Sequence, residues 1–336
     1  MIISKTPFRM SFFGGGTDMP EFFNQFGGSV ISTSFDKYCL TTVRHLPPFF
    51  DYHNEIVYSR IERVAEAENL QHPLVRNAMQ YLHIKDIRLN YEADLPARSG
   101  LGTSSSFAVG MLHVFHRLKG QNTDAKQLAE EAIYLERELC QEAGGWQDQI
   151  AAAYGGFNRI NFKDNTYEVI PLAVSPETRK VLNENLMMFF TGFTRMSSDI
   201  QKESKKPKEK EKELLEMLSL VDEAEKALLS GDTDGFGKLL DTTWQLKRRT
   251  GRSVSNTAID DAYAEALKAG ALGGKLLGAG GGGFLLFYVP RHKQAQVAAA
   301  MKNLLYIPFS FSDRGSEIIY ESPETYSFRG AEKEIL

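Results

Sequence analysis

The feature that most constrains the fold is a glycine loop between a predicted strand and a predicted helix, LPARSGLGTSSSFAV from Leu95 to Val109. Residues 87–91 alternate apolar and polar side chains, which predicts a strand before the loop. Gly100 and Gly102 bracket the loop, and residues 103–106 stand where a helix N-cap is expected. The apolar side chains that follow have helical spacing: Phe107, Met111, Leu112, Val114, Phe115 and Leu118.

This arrangement predicts an anion site. The first backbone N–H groups of a helix lack internal partners, and the helix dipole is positive at that end, so a phosphate is the expected guest. The Walker A loop of P-loop NTPases has a lysine after its last glycine. No lysine follows Gly102, so this loop is not a Walker A loop. An ordinary strand-to-helix turn, whose glycines serve only the backbone conformation, is the alternative.

Size and charge narrow the class of protein. A chain of 336 residues exceeds one ordinary core, so we expect two domains, 1–175 and 176–336. A net charge of −4 argues against a nucleic-acid partner and gives no reason to expect a membrane partner. Cys39 and Cys140 have neither metal nor disulfide spacing, and no apolar segment resembles a signal peptide or a membrane span. These features predict a cytoplasmic location.

The first half of the chain is expected to alternate strands and helices. We predict an edge strand over 1–9, a helix over Pro20–Phe26 and a hairpin or two strands over 29–44. Residues 72–82 and 124–142 are predicted helices, the first with a proline in its first turn.

In the second half, 156–170 reads as strands around an Asp164–Asn165 turn, and 186–190 reads as a buried strand. Residues 214–268 have mostly helical spacing. Gly278, Gly280 and Gly283 match G-x-G-x-x-G, but a strand follows them where a dinucleotide-binding fold needs a helix. A glycine-rich hairpin is therefore expected over 273–289.

Three acidic residues are candidate functional groups. Asp18 follows three glycines in SFFGGGTD, Asp148 lies in GGWQDQ, and Glu136 lies off the apolar stripe of its predicted helix. At Asp18 the glycines would let a ligand approach while the carboxylate accepts its hydroxyl protons. The alternatives are a helix cap at Asp18 and at Asp148, and a solvent-facing side chain at Glu136.

Three glycine motifs in this order resemble the GHMP kinases, which include galactokinase and mevalonate kinase. Residues 96–104 resemble the central Pro-x-x-x-Gly-Leu-Gly-Ser-Ser motif with Thr103 in place of the first serine, and 278–283 resemble the third motif. Gly14–Asp18 is similar to the galactokinase sugar element, with glycines at its Gly-Glu-His positions. The resemblance implies an α+β, two-domain GHMP kinase fold, with an N-terminal domain like ribosomal protein S5 and a ferredoxin-like C-terminal domain.

The resemblance also implies roles for individual residues, with ATP and Mg²⁺ as cofactors. Asp148 would be the catalytic base, with Arg9 beside it to counter charge on the γ-phosphate. Ser104 and Glu136 would hold Mg²⁺. The implied ATP-binding residues are Pro96, Ser99, Gly100, Leu101, Gly102, Thr103, Ser104 and Ser105. The expected substrate-binding residues are Gly15, Gly16, Thr17, Asp18, Gly280 and Gly281, with Arg195, Lys202 and Lys247 as candidate cations for a distal phosphate.

Within the family, the segments PFRMSFFGGGTD, GGWQDQ and TGFTR resemble the heptose 7-phosphate kinases. This implies transfer of the ATP γ-phosphate to the anomeric C1 hydroxyl of D-glycero-D-manno-heptose 7-phosphate, toward nucleotide-activated heptose. The partners would be a sugar phosphate and ATP, and the protein a monomer or homodimer. A sugar 1-kinase of the fucokinase or galactokinase type and a non-catalytic sugar sensor are the rival interpretations.

Overall fold

The structure, a computed structural model, describes residues 1–47, 49–97, 99–192 and 209–322. Helices and mostly antiparallel strands build two sheets in this part of the chain, which confirms the predicted α+β class. Over the same residues, no helix combines the length and the apolar character that crossing a bilayer requires.

The strands are β1 (Ile2–Phe13), β2 (Gly28–His45), β3 (Asn54–Val57), β4 (Ile61–Val64), β5 (Ile87–Ala93), β6 (Phe157–Lys163), β7 (Thr166–Pro171), β8 (Leu186–Phe190), β9 (Gly273–Leu276), β10 (Phe284–Tyr288), β11 (Leu305–Ile307), β12 (Phe311–Ser312) and β13 (Glu317–Glu321). The α-helices are α1 (Pro20–Phe26), α2 (Pro73–Leu82), α3 (Thr103–Leu118), α4 (Ala125–Tyr134), α5 (Gln147–Tyr154), α6 (Pro176–Asn185), α7 (Glu211–Ser230), α8 (Thr233–Arg249), α9 (Thr257–Lys268) and α10 (Gln294–Ala300). Short 3₁₀ turns lie at Ala67–Asn69, Arg252–Val254 and Arg291–Lys293, and a π-helical turn lies at Leu135–Leu139.

The first sheet has the order β13-β1-β2-β5-β3-β4, and β6 and β12 also pair with β2. The prediction of a hairpin or two strands over 29–44 is wrong, because β2 is one long strand with a bulge. Pro7 faces Tyr38 and Phe8 faces Phe35, so Asp36 and the next residue have no partner in β1. The bulge lets β2 pair with β6 before it and with β5 after it, which explains why the sequence reads as two units.

Strand β1 is not the predicted edge strand at its start. Residues 2–5 pair with β2 on one side and with β13 on the other. Two short strands from the last part of the chain, β12 and β13, thus belong to the first sheet. The division of the chain at residue 175 stays a prediction.

Helix α3 packs directly on β1 through Gly110. Ser4 Oγ donates to the Gly110 carbonyl oxygen at 2.9 Å, and a Cβ on Gly110 would lie 2.8 Å from Thr6 Oγ1. A glycine at this helix position lets the backbones of helix and strand approach closely. The contact fixes the middle of α3 relative to β1, the strand that carries Arg9.

The second sheet is antiparallel, with the order β11-β8-β10-β9. The glycine-rich hairpin is confirmed, because Leu285 in β10 pairs with Leu276 in β9. One cluster of buried apolar side chains includes Phe12 of β1 in the first sheet and Leu286 of β10 in the second. In this cluster the Phe12 ring lies 5.3 Å from that of Phe236 in α8. Each buried phenylalanine contributes about 1.5–3 kcal/mol, so this shared core joins the halves firmly.

Candidate active site

The loop between β5 and α3 has the backbone geometry of an anion site. Gly102, at φ +72°, is the N-cap of α3, and no side chain caps the helix. The prediction that a hydroxyl residue caps this helix is therefore wrong. Thr103 is the first helical residue, Ser104 is exposed and Ser105 is buried in the first turn. The first N–H groups of α3 lack a capping side chain, which suits a phosphate.

The glycine-rich hairpin packs on this loop, backbone against backbone. A Cβ on Gly278 would overlap Gly100, and one on Gly283 would overlap the backbone of Ser99. Gly280 and Gly281, the two hairpin glycines predicted to bind substrate, contact the 3₁₀ turn at Arg252–Val254 instead. Gly281 N donates to the Val254 carbonyl at 2.9 Å, and Gly280 packs against the same residue. The hairpin therefore supports the loop from the side of the second sheet.

Arg9 joins the loop to the carboxylate of Asp148. Its Nε and Nη2 donate to the two carboxylate oxygens at 2.8 and 2.9 Å, and its Nη1 donates to the Gly100 carbonyl at 2.7 Å. A Cβ on Gly102 would lie 3.4 Å from Asp148 Oδ2, so this carboxylate stands beside the N-cap of α3. Asp148 is 27% exposed and Arg9 only 4%. The bidentate pair holds the carboxylate where a reacting group could meet it.

Asp18 lies in the same site as a buried carboxylate. Gly16 N donates to it at 2.9 Å and Gln147 N at 3.3 Å, and Met19 is the N-cap of α1, so the interpretation of Asp18 as a cap of that helix is wrong. Burial, followed by the charge of Asp148, raises the pKa of Asp18. A side chain at Gly145 would overlap this carboxylate, which explains the glycine in the loop before α5.

The three other residues of the predicted sugar element, Gly15, Gly16 and Thr17, directly precede Asp18 in the chain. Thr17 Oγ1 donates to the Gly14 carbonyl at 2.8 Å, and Gly16 has φ +97°. Gly15 is partly exposed, with Ser11 Oγ 4.0 Å from its Cβ position. This turn holds the Asp18 carboxylate close enough to Asp148 for the two charges to interact.

Glu136 is buried, so the alternative interpretation of a solvent-facing side chain is wrong. It lies in the π-helical turn, where the Cys140 N–H bonds to the Leu135 carbonyl five residues back, and the wider turn shifts the helix faces. Ser105 Oγ donates to Glu136 Oε2 at 2.7 Å, and Gln149 Nε2 donates to the same oxygen. Burial raises the pKa of Glu136. The hydroxyl partner of Glu136 is thus Ser105, the residue after the predicted Ser104.

These donors fit a magnesium ion. A carboxylate and hydroxyl groups at a helix N-terminus are the hard oxygen ligands that Mg²⁺ prefers, and the ion keeps waters besides. Among the described residues no three acidic, histidine or cysteine side chains cluster as a metal site. A single buried carboxylate is enough where phosphate oxygens supply other ligands.

Two lysine side chains lie near the site, and burial lowers the pKa of each. Lys247 Nζ donates to the Gly278 carbonyl; burial and the Arg9 charge lower its pKa to about 8, although Asp18 and Asp148 oppose that shift. Lys275, missed by the sequence analysis, is 2% exposed and donates to the carbonyls of Ser11 and Phe12 at 2.8 Å each. Burial, with the charges of Lys247 and Arg9, lowers the pKa of Lys275 well below its usual range. The available sequence signal for Lys275 was a single charged residue among the glycines and leucines of a short strand.

Arg195 and Lys202 lie outside the described residues. The dense mixed charge of residues 202–213 predicts a solvated helix end or surface loop, with a lid over the site as the alternative, and most of this segment lies outside the described residues too. Lys247 is therefore the predicted phosphate-binding cation that the structure places in the site.

The models of the GHMP kinase N-terminal and C-terminal domains match residues 63–156 and 224–307. A D-glycero-α-D-manno-heptose 7-phosphate kinase of Campylobacter jejuni is 30% identical over 330 residues, which is 94% of this chain and 97% of the relative. The chain belongs to the GHMP kinase family. It is an ATP-dependent sugar kinase.

Two further comparisons place this kinase among its relatives. The crystal structure of a D-glycero-D-manno-heptose 1-phosphate kinase from Bacteroides thetaiotaomicron has a TM-score of 0.79 at 24% identity, covering 96% of this chain and all (100%) of that one. A bifunctional fucokinase/GDP-fucose pyrophosphorylase of Arabidopsis thaliana is 29% identical over 224 residues, 63% of this chain and 20% of the relative. The structural likeness shows the shared fold, which confirms the predicted GHMP kinase fold.

Proposed function

We propose that this kinase transfers the ATP γ-phosphate to the C1 hydroxyl of D-glycero-D-manno-heptose 7-phosphate, giving the 1,7-bisphosphate for nucleotide-activated heptose. The observation that carries the proposal is the contact of Arg9 with both the Gly100 carbonyl and Asp148. It sets a carboxylate beside the helix start at which the phosphates of ATP would bind. The similarity to the Campylobacter kinase supports the choice of sugar, and ATP use fits a cytoplasmic enzyme.

Each group has a role in the reaction. Asp148 accepts the proton of the C1 hydroxyl, the oxygen forms a bond to the γ-phosphorus, and the bond from that phosphorus to the ADP oxygen breaks. The α3 N–H groups hold the nucleotide phosphates, and Arg9 neutralises charge on the transferred group. Mg²⁺, held by Glu136 with Ser104 or Ser105, would neutralise phosphate charge when bound. Asp18 orients the sugar hydroxyls.

A substrate panel tests the proposal. With coupled detection of ADP release, heptose 7-phosphate should give a kcat/KM about 10- to 100-fold above that of unphosphorylated heptose, fucose or galactose, since a charge-assisted contact contributes about 1.5–3 kcal/mol. Phosphorus NMR of the product should show the new ester at C1. Equal efficiency with fucose or galactose would favour the rival sugar 1-kinase, and binding of sugar and ATP without ADP release would favour a sensor.

The Lys247 ammonium should give substrate binding a distinctive pH dependence. Its pKa of about 8 is below the usual ~10.4, so the free protein loses this charge as the pH rises through about 8. If Lys247 binds the distal phosphate, the KM for heptose 7-phosphate rises above pH 8, while the KM for ATP changes little. The charged groups acting on Lys247 are Arg9, Asp18, Asp148 and Lys275.

The control is Lys247→Arg, because a guanidinium stays protonated throughout this pH range. Its KM for heptose 7-phosphate should be flat from pH 7 to about 9.5. A wild-type KM that is also flat over this range would remove Lys247 from the phosphate site.

A further inference from the structure

The carboxylate of Glu136 is held asymmetrically. The hydrogen bonds from Ser105 Oγ and Gln149 Nε2 both go to Oε2, and Oε1 receives neither. The side chain is 1% exposed, so few other groups can reach it. Two donors on one oxygen fix the rotation of the carboxylate and leave the second oxygen as the one directed at a ligand.

The buried amide of Gln149 is unfavourable for stability if its only role is packing. It is fully buried (0% exposed), and its own Oε1 has no hydrogen-bond partner among the described residues. A buried amide oxygen without a partner costs about 1–3 kcal/mol, whereas the next residues of α5, Ile150 and Ala151, bury apolar side chains without this cost. An apolar residue at 149 would bury its side chain without this cost. We therefore attribute the glutamine to the hydrogen bond that its amide nitrogen donates to Glu136.

The position of Gln149 in the chain adds to this. It follows Asp148 directly on α5, while Glu136 comes from the π-helical turn after α4 and Ser105 from α3. The first turn of α5 therefore carries Asp148, whose carboxylate lies beside Gly102. The same turn carries Gln149, which orients the carboxylate of Glu136 beside Ser105. A displacement of α5 would move both groups together.

We propose that Gln149 is a positioning residue for the metal site: its amide holds Glu136 Oε2, so that Oε1 faces the cation bound with the nucleotide. The inference rests on the proposed function only in that the donor is a metal–ATP complex. Losing such a supporting hydrogen bond typically weakens metal binding about 10- to 100-fold. Ser105 retains the other bond to the same oxygen, so we expect the lower end of that range.

The experiment uses Mn²⁺ and a non-hydrolysable ATP analogue, with no sugar present. Electron paramagnetic resonance measures free Mn²⁺ in titrations of wild type, Gln149→Met and Gln149→Asn. In both variants the Mn²⁺ dissociation constant of the nucleotide complex should rise about tenfold, while affinity for the nucleotide in EDTA stays within about twofold. Gln127→Met, which breaks an exposed glutamine–glutamate bond to Glu131, should change none of these values.

Either of two results would overturn the inference: unchanged Mn²⁺ affinity in a folded variant, or equal losses of nucleotide affinity with and without metal, which indicate a structural role. Gln149→Asn keeps an amide one methylene shorter and serves if the methionine variant does not fold. Because no sugar enters the titration, a wrong choice of substrate under the proposed function leaves this result unaffected. A wild type that binds no Mn²⁺ with the nucleotide would contradict both the metal role and the inference.

Discussion

Replacing Asp148 with asparagine should lower kcat about a thousandfold, the middle of the range for a positioned base. The amide keeps the shape of the side chain but accepts no proton at neutral pH, and it loses one of the two hydrogen bonds from Arg9. The loop backbone does not change, so the Kd for ATP should stay within about threefold, less than 1 kcal/mol. Steady-state kinetics with coupled ADP detection and calorimetry with an ATP analogue measure the two quantities.

Asp124→Asn is the matched control for this substitution. Asp124 caps α4 by accepting from Gln127 N at 2.8 Å, and asparagine caps a helix about equally well, so kcat should not change. If Asp148→Asn keeps more than a tenth of the wild-type kcat, proton transfer to Asp148 is not part of the rate-limiting chemistry. Asp18, the other carboxylate in the site, would then be the group to substitute.

Replacing Gly278 with alanine should disrupt the contact between the hairpin and the nucleotide loop. The new Cβ would overlap the Cα of Gly100 and lie 2.7 Å from its carbonyl oxygen, and the backbone has φ +78°. Overpacking costs about 1–3 kcal/mol and the left-handed backbone about 1–2 kcal/mol, so the free energy of unfolding should fall by about 2–5 kcal/mol. Because Gly100 must move, the Kd for ATP should rise about tenfold or more, a loss of at least 1.4 kcal/mol.

Gly120→Ala separates the two causes. Gly120 has a similar φ of +72° but nothing within 4 Å of its Cβ position, so alanine there has only the backbone cost of about 1–2 kcal/mol. Urea unfolding of both variants gives the difference that comes from the clash. Equal destabilisation in the two variants, with normal ATP affinity, would show that the loops do not need this close approach.

The parts of the site that could be predicted from sequence are those coded by local motifs. Gly100 and Gly102 predict a tight turn before a helix, and the double glycine before Asp148 marks the loop that leads to it. Glu136 is different: helical periodicity places it on the outer face, and the π-helical turn that buries it leaves no clear local signal. Gln149 looks like an ordinary polar residue until its partner from another helix is known.

The fold shows the same contrast. The turn at Asp164–Asn165 is predictable because both residues adopt positive φ (51° and 53°), which asparagine and aspartate tolerate better than most. The pairing of β1 with β13 is not, because short strands carry little information about partners far along the chain. The bulge in β2 at Asp36 gives a strand break in the sequence pattern although the chain continues in the sheet.

That pairing also sets the order of events when the chain is made. Ile2 faces Glu321, so β1 gains its second neighbour only after residue 321 has left the ribosome. Contacts of such long sequence separation form slowly, and until then one border of β1 offers unsatisfied N–H and carbonyl groups to other chains. We therefore expect nascent chains, and chains that end before β13, to be the species that aggregate. Deletion of β13 should lower the expression yield, although this strand is short.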